Sequence, residues 1–265
     1  MDNLNYTTIV TCYFKIPSKH SQENYKNWMT NMLTNISTPM VIFCDSESES
    51  FIRELRKDYI NKTHIIVLSI DDFYTSKYKD KFIEHHEIDP EKKNHSVQLY
   101  MIWAEKSHFL KRANTLNPFN SNFFFWCDIG CFRNRQEKND VKLDMIKFFP
   151  NERKVRSIPT NKVVLIQTGR FAKNCCSLNS NGLTTEEFTY YSHTIGGTMF
   201  GGHSEIIDEW HQKYYSTLER FFDNNRFAGK DQSVMANMIV QYPDLVHVFQ
   251  PTYGDPWFYF HWLLL

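Results

Sequence analysis

The chain has 265 residues, 30 basic and 30 acidic side chains, and a formal net charge of zero at pH 7. That balance removes any bulk electrostatic reason to bind nucleic acid or an anionic membrane surface. The length suits one large domain better than two small ones, so residues 1–265 are read as a single domain, and the 16% aromatic content reads mainly as core.

Residues 1–6 lack the basic start and long apolar core of a signal peptide, and no stretch approaches the length of a membrane span. A soluble cytoplasmic protein without a transmembrane segment is expected. Residues 8–14 are β-rich, and 23–36 have helical character. Residues 40–44 form a second apolar strand that ends at Asp45. Ser48, with Glu49 behind it, predicts the cap of a helix running to about residue 60. Residues 64–70 predict a third strand, 96–116 a long helix and 123–127 a fourth strand. The β-α-β-α order, with strands that are continuous apolar runs, predicts an α/β fold with a mainly parallel, twisted sheet flanked by helices.

The second half continues with a strand at 162–167, a loop-like excursion through 175–182 and a glycine-rich segment at 193–202. A helix follows at 204–222, capped by Ser204, and another at 231–241, ended by Pro243. Residues 245–249 predict a final strand. The apolar run 257–265 reads as a docked terminal segment. Six cysteines without an export signal do not suggest a disulfide framework. Cys127 and Cys131 are four apart, but no second Cys/His pair completes a zinc spacing, so no structural zinc site is expected.

In parallel sheets, ligands sit beyond the carboxyl ends of the strands. Asp45, Asp71 and Asp128 all fall just past such ends, and the first two read as cap or turn residues. Asp128 carries more weight because Gly130, two residues on, lets the backbone turn tightly. A carboxylate placed there can ligate a metal or hold ribose hydroxyls. Lys106 lies within the apolar stripe of the 96–116 helix, where a lysine either snorkels or reaches a phosphate. The pairs Gly196-Gly197 and Gly201-Gly202 permit close approach of a sugar or phosphate or, equally, tight strand packing. Ser204 opens a helix whose N-terminus favours anions. Arg133 and Arg135 are placed to contact a diphosphate or to lie at the surface.

The run NPFNSNFFFWCDIGCFR, together with HTIGGTMFGG and GKDQSVMANMIVQYPDLVHVF, resembles the HtrL/YibB family, bacterial and viral proteins related to GT-A glycosyltransferases. The resemblance extends from the first strand to about Phe249. It implies a GT-A-like fold and transfer of a sugar from a nucleoside diphosphate donor, with UDP the expected carrier, to a glycan or other acceptor hydroxyl. On that reading Asp128, Gly130, Lys106, Arg133, Gly196 and Gly197 bind the donor. Asp231 at a helix start is the candidate base, with a helix-capping role as its competitor. Asp128 and His261 are the candidate ligands for Mn2+ or Mg2+, and His247 is a further candidate. GT-A enzymes typically carry Asp-x-Asp, whereas here Asp128 stands alone. Either Gly130 replaces the metal-binding Asp, or Trp126 replaces the first one. A transfer-inactive carbohydrate-binding protein and a nucleotide-sugar hydrolase remain alternatives on the same fold.

Overall fold

The computed structural model describes residues 6–134, 141–171, 173–185, 194–252 and 254–265; Arg135 and His193 lie outside them. The first half supplies β1 (Thr7–Tyr13), α1 (Gln22–Asn35), β2 (Met40–Cys44), α2 (Glu49–Leu55), β3 (Thr63–Val67), α3 (Lys79–Glu87), α4 (Val97–Leu116) and β4 (Phe123–Cys127). The second supplies α5 (Glu152–Val155), β5 (Val163–Gln167), β6 (Ile195–His203), α6 (Ser204–Asp223), α7 (Asp231–Gln241), β7 (Val246–Phe249) and α8 (Tyr259–Leu263).

The seven strands form one sheet in the order β3-β2-β1-β4-β6-β5-β7. Pairing is parallel everywhere except on the two sides of β6, which runs against β4 and β5. The mainly parallel α/β sheet expected from the sequence is therefore present, with one reversed strand inside it. β4 lies at the centre, and all five of its residues are buried. Phe124 and Trp126 pack into one core with α4, α6 and α7, and Phe123, Phe125 and Cys127 pack into a second core with α1 and α8. An uninterrupted apolar strand is what burial on both faces requires.

The glycine-rich segment is β6 itself. A Cβ on Gly201 would lie 2.1 Å from Phe124 O and 2.7 Å from Phe125 Cα, and one on Gly202 would lie 2.8 Å from Lys162 O. This pair lets three strand backbones pack closely. Register places Phe123 opposite His203 and Cys127 opposite Met199. The start of α6 is thus at the opposite end of β4 from Asp128, which removes its N-terminus as an anion site for the Asp128 cleft. Ser204 does not cap α6 either: His203 is the N-cap, its Nδ1 accepting from Glu205 N at 3.4 Å.

Other local expectations are corrected by packing. Ser48 makes no capping hydrogen bond, and α2 ends at Leu55. Asp45 caps this turn instead, accepting from Ser48 N at 2.8 Å and from Lys15 N at 2.6 Å. β3 stops at Val67, because Ser69 and Asp72 bond reciprocally in a capping box that starts a 3-10 turn. Among the described residues no helix is long and apolar enough to cross a membrane.

Candidate active site

The loop after β4 is anchored to β6 by Asp128 N, which donates to Thr198 O at 2.8 Å. The Asp128 side chain then meets the cleft with its Oδ1 accepting from Trp126 Nε1 at 2.7 Å. Lys106 approaches from α4, a helix fixed at its start by the Ser96 side chain, which accepts from Leu99 N. Its Nζ lies 3.1 Å from Asp128 Oδ1 and 3.0 Å from Asp231 Oδ2, and it donates to Gly197 O at 2.9 Å. Of the three N–H donors of the ammonium, one is taken by the Gly197 carbonyl, and the two carboxylates pair with its charge. Burial alone would lower the Lys106 pKa, but Asp128 and Asp231 more than reverse that and hold the group protonated.

Asp231 is the first residue of α7, and Lys230 rather than Asp231 is the N-cap. Asp231 Oδ1 accepts from Gln232 N at 2.9 Å. Asp231 Oδ2 is buried and, among the described residues, makes no well-aligned hydrogen bond, so its pairing with Lys106 is one of charge. Burial raises the Asp231 pKa, Lys106 pulls it back, and the like charge of Asp128 adds to the rise. Gly197 is what lets this carboxylate in: a Cβ there would lie 2.8 Å from Asp231 Oδ2.

Lys106, Asp128 and Asp231 therefore meet although they stand far apart in sequence, and all three line a polar cavity of about 460 Å³ with Gly197 and Arg133. A smaller cavity of about 160 Å³ shares Lys106, Asp128 and Arg133 with it and adds Gly130, Trp28 and Trp126. Gly130 would bring a Cβ to 3.1 Å from the Trp28 ring, so its role is to seat that indole. Arg133 lies over the same ring, 4.4 Å from its centroid, and its Nε donates to Gly130 O at 3.0 Å. Gly196 lines neither cavity; a Cβ there would lie 2.7 Å from Ile166 Cγ2. A third cavity, of about 470 Å³, lies at the other end of the strands beside Thr7, Pro39 and Pro150, with no comparable buried charge cluster.

Several cleft residues carry no sequence signal strong enough to single them out. Tyr25 and Trp28, in edge-to-face contact at 5.2 Å, are half-buried aromatics on the otherwise polar face of α1, and that placement is the one cue available. His95 lines the polar cavity and is oriented through Nδ1, 2.8 Å from buried Asp89 Oδ2. Buried Lys230 pairs with Glu91 at 3.1 Å on the same wall. Trp103 and Trp257 line this cavity as well.

The expected metal ligands do not assemble. His261 is buried, its Nδ1 lies 3.1 Å from Phe258 O, and its ring packs against Phe132 and Phe149. It lines neither cavity that Asp128 lines, and His247 on β7 lines neither. Between Asp128 and Asp231 the Lys106 ammonium already supplies the positive charge. These residues do not fit an Asp128–His261 site for Mn2+ or Mg2+.

Among solved structures the chain is similar to mouse xyloside xylosyltransferase 1 in its apo form, at 10% identity and a TM-score of 0.48, over 92% of this chain and 84% of that one. It is also similar to 4-diphosphocytidyl-2C-methyl-D-erythritol synthase from Anaerococcus prevotii, at 11% identity and a TM-score of 0.41, over 94% and 90% of the two chains. A search of curated proteins gives no match. The family model described as "Bacterial protein of unknown function (HtrL_YibB)" matches residues 5–263. This chain belongs to the HtrL/YibB family.

Proposed function

We propose that the cleft binds a nucleoside diphosphate sugar, with UDP as the carrier, and transfers the sugar to a hydroxyl of a glycan or other acceptor. The observation that carries this reading is the Asp128–Lys106–Asp231 bridge at the carboxyl end of β4, set beneath an aromatic-lined cleft. Such a cleft matches the ligand in parts: aromatic faces for base and sugar ring, cations for the diphosphate, and carboxylates for hydroxyl groups.

We redistribute the roles expected from sequence. Lys106 is engaged by protein acceptors, so we assign it to positioning the two carboxylates rather than to the diphosphate. The diphosphate falls to Arg133, whose guanidinium lies over the Trp28 ring, with Lys19 and His20 on the same rim. The Asp128 side chain keeps 33% exposure and offers its second oxygen to ribose hydroxyls. A divalent ion carried in by the donor would contact the protein at this same oxygen and would supply charge neutralisation at the diphosphate.

Asp231 is the proposed base. It lines the polar cavity, Gln232 N fixes its Oδ1, and burial raises its pKa, which strengthens it as a proton acceptor. The acceptor oxygen attacks the anomeric carbon as the bond from that carbon to the diphosphate oxygen breaks. The nucleoside diphosphate leaves with the bonding pair, and the hydroxyl proton passes to Asp231.

The test is release of nucleoside diphosphate from UDP-, GDP- and TDP-sugars, with and without manganese and an acceptor panel. The reading predicts acceptor-dependent release from one donor, with kcat lowered roughly 10²–10⁴-fold in Asp231→Asn. Acceptor-independent release of free sugar would replace it with hydrolysis. Absence of both turnover and donor binding would overturn it.

A further inference from the structure

Beneath the Asp128 loop, on the opposite face of the sheet from Lys106, three ligating side chains meet. The sulfurs of Cys127 and Cys131 and a ring nitrogen of His261 all lie within 4.8 Å of one another, and all three residues are buried. Cys127 ends β4, Cys131 closes the turn through its N–H to Asp128 O at 3.0 Å, and His261 comes from α8. The third partner is 130 positions away in sequence (261 − 131), so no local spacing rule could supply it.

The imidazole is set as a metal ligand would be. Nδ1 faces Phe258 O at 3.1 Å, and a carbonyl only accepts, so the proton sits on Nδ1 and the Nε2 lone pair is exposed to the cluster. Nε2 is itself buried with no hydrogen-bond partner of good geometry among the described residues, and the ring interacts electrostatically with the Cys131 thiol. A buried acceptor without a well-aligned donor is destabilising, and two sulfurs beside it are the donor atoms a thiophilic ion selects. Tetrahedral zinc holds its thiolates about 3.8 Å apart, so closure of roughly an ångström completes the contact. Two thiolates and a neutral imidazole cancel the charge of a divalent ion, which burial demands. A monovalent ion would leave a net buried charge.

We propose that Cys127, Cys131 and His261 form a structural zinc site that clamps the two ends of the Asp128 loop to the C-terminal helix. Zn2+ enters as the hydrated ion, the two thiols lose their protons to solvent, and neutral Nε2 is the third ligand. Thr198 O, 3.6 Å from Cys131 Sγ, is an adjacent oxygen for the fourth position. The site is independent of the transferase reading, since it uses none of the residues assigned to donor or acceptor.

The test uses the full chain purified under reducing conditions. Elemental analysis after dialysis against zinc should give one equivalent per chain. Replacing zinc with cobalt in the wild type should give thiolate-to-cobalt charge-transfer absorption and the strong visible bands of a tetrahedral ion. Because the ligands are buried, His261→Ala or Cys131→Ser could unfold the chain, so the wild-type cobalt spectrum is the primary readout. Where the variants fold, their zinc affinity should fall at least roughly 100-fold. Cys176→Ser, at an exposed cysteine outside the cluster, should bind zinc as the wild type does. No zinc retained, a weak octahedral cobalt spectrum, or a Cys127–Cys131 disulfide in the folded chain would overturn the proposal.

Discussion

β6 carries two Gly-Gly pairs, and they serve different ends of the molecule. At its finish, Gly201 and Gly202 face the backbones of β4 and β5, where a Cβ would strike carbonyl oxygens and Cα atoms. At its start, Gly196 and Gly197 face side chains, and the one met by Gly197 is the Asp231 carboxylate. Backbone in a paired sheet has little room to move, whereas a side chain can rotate away at modest cost. The same dipeptide therefore secures strand packing at one end and admits a functional carboxylate at the other. Sequence pattern alone treats the pairs as equals; their neighbours separate them.

The charged end should break most severely. Lys106→Met leaves buried Asp231 beside the half-buried Asp128 carboxylate without their cation. We expect a loss of about 3–5 kcal/mol in urea unfolding. A loss below about 1 kcal/mol would show that the two carboxylates do not depend on Lys106. Next comes the packed end, where Gly201→Ala should cost about 3 kcal/mol, because the atoms it meets belong to the β4 backbone.

Glu105 separates structural from functional charge on α4. It is buried next to Lys106 in sequence but caps backbone, accepting from Tyr74 N and Thr75 N at 2.9 Å each. Burial pushes its pKa up to about 7 from 4.5, against those two hydrogen bonds. The folded form therefore holds its proton where the unfolded form has lost it. Its contribution to stability is full below pH 4.5 and is lost as pH rises through about 7, on the order of 3 kcal/mol in all. Glu105→Gln should flatten that part of the stability–pH curve, measured as a difference in slope between pH 4.5 and 8. The smallest stability effect belongs to Gly197→Ala, about 1 kcal/mol, together with weakened function as Asp231 is displaced. A Gly197→Ala loss as large as that of Gly201→Ala would erase the contrast between the two pairs.

Much of this frame was legible in the sequence. β2, β4 and α7 were readable to the residue, because long apolar runs and a helix ended by Tyr242-Pro243 leave little ambiguity. Lys106, Asp128 and Asp231 were each singled out, but their meeting was not legible, since it depends on β6 entering between β4 and β5 in reverse. The same insertion carries the start of α6 away from Asp128, which no local pattern announces. The Cys127, Cys131 and His261 cluster was missed for a related reason: its third member arrives with α8. Ser48 and Ser204 look like caps, yet the bonds at these helix starts run from Ser48 N to Asp45 and from Glu205 N to His203, each made by a polar residue just upstream of the expected cap.

A nucleoside diphosphate sugar held in the Asp128 cleft should reveal itself as thermal stabilisation by one of the UDP-, GDP- or TDP-sugars. The wild type and Asp128→Ala are compared, each with and without manganese. A ligand that binds the native state raises its apparent stability by mass action, by about 2.7 kcal/mol at 100 times its Kd. A shift is expected with one nucleotide, abolished in Asp128→Ala. No shift with any donor, or an equal shift in Asp128→Ala, would contradict it.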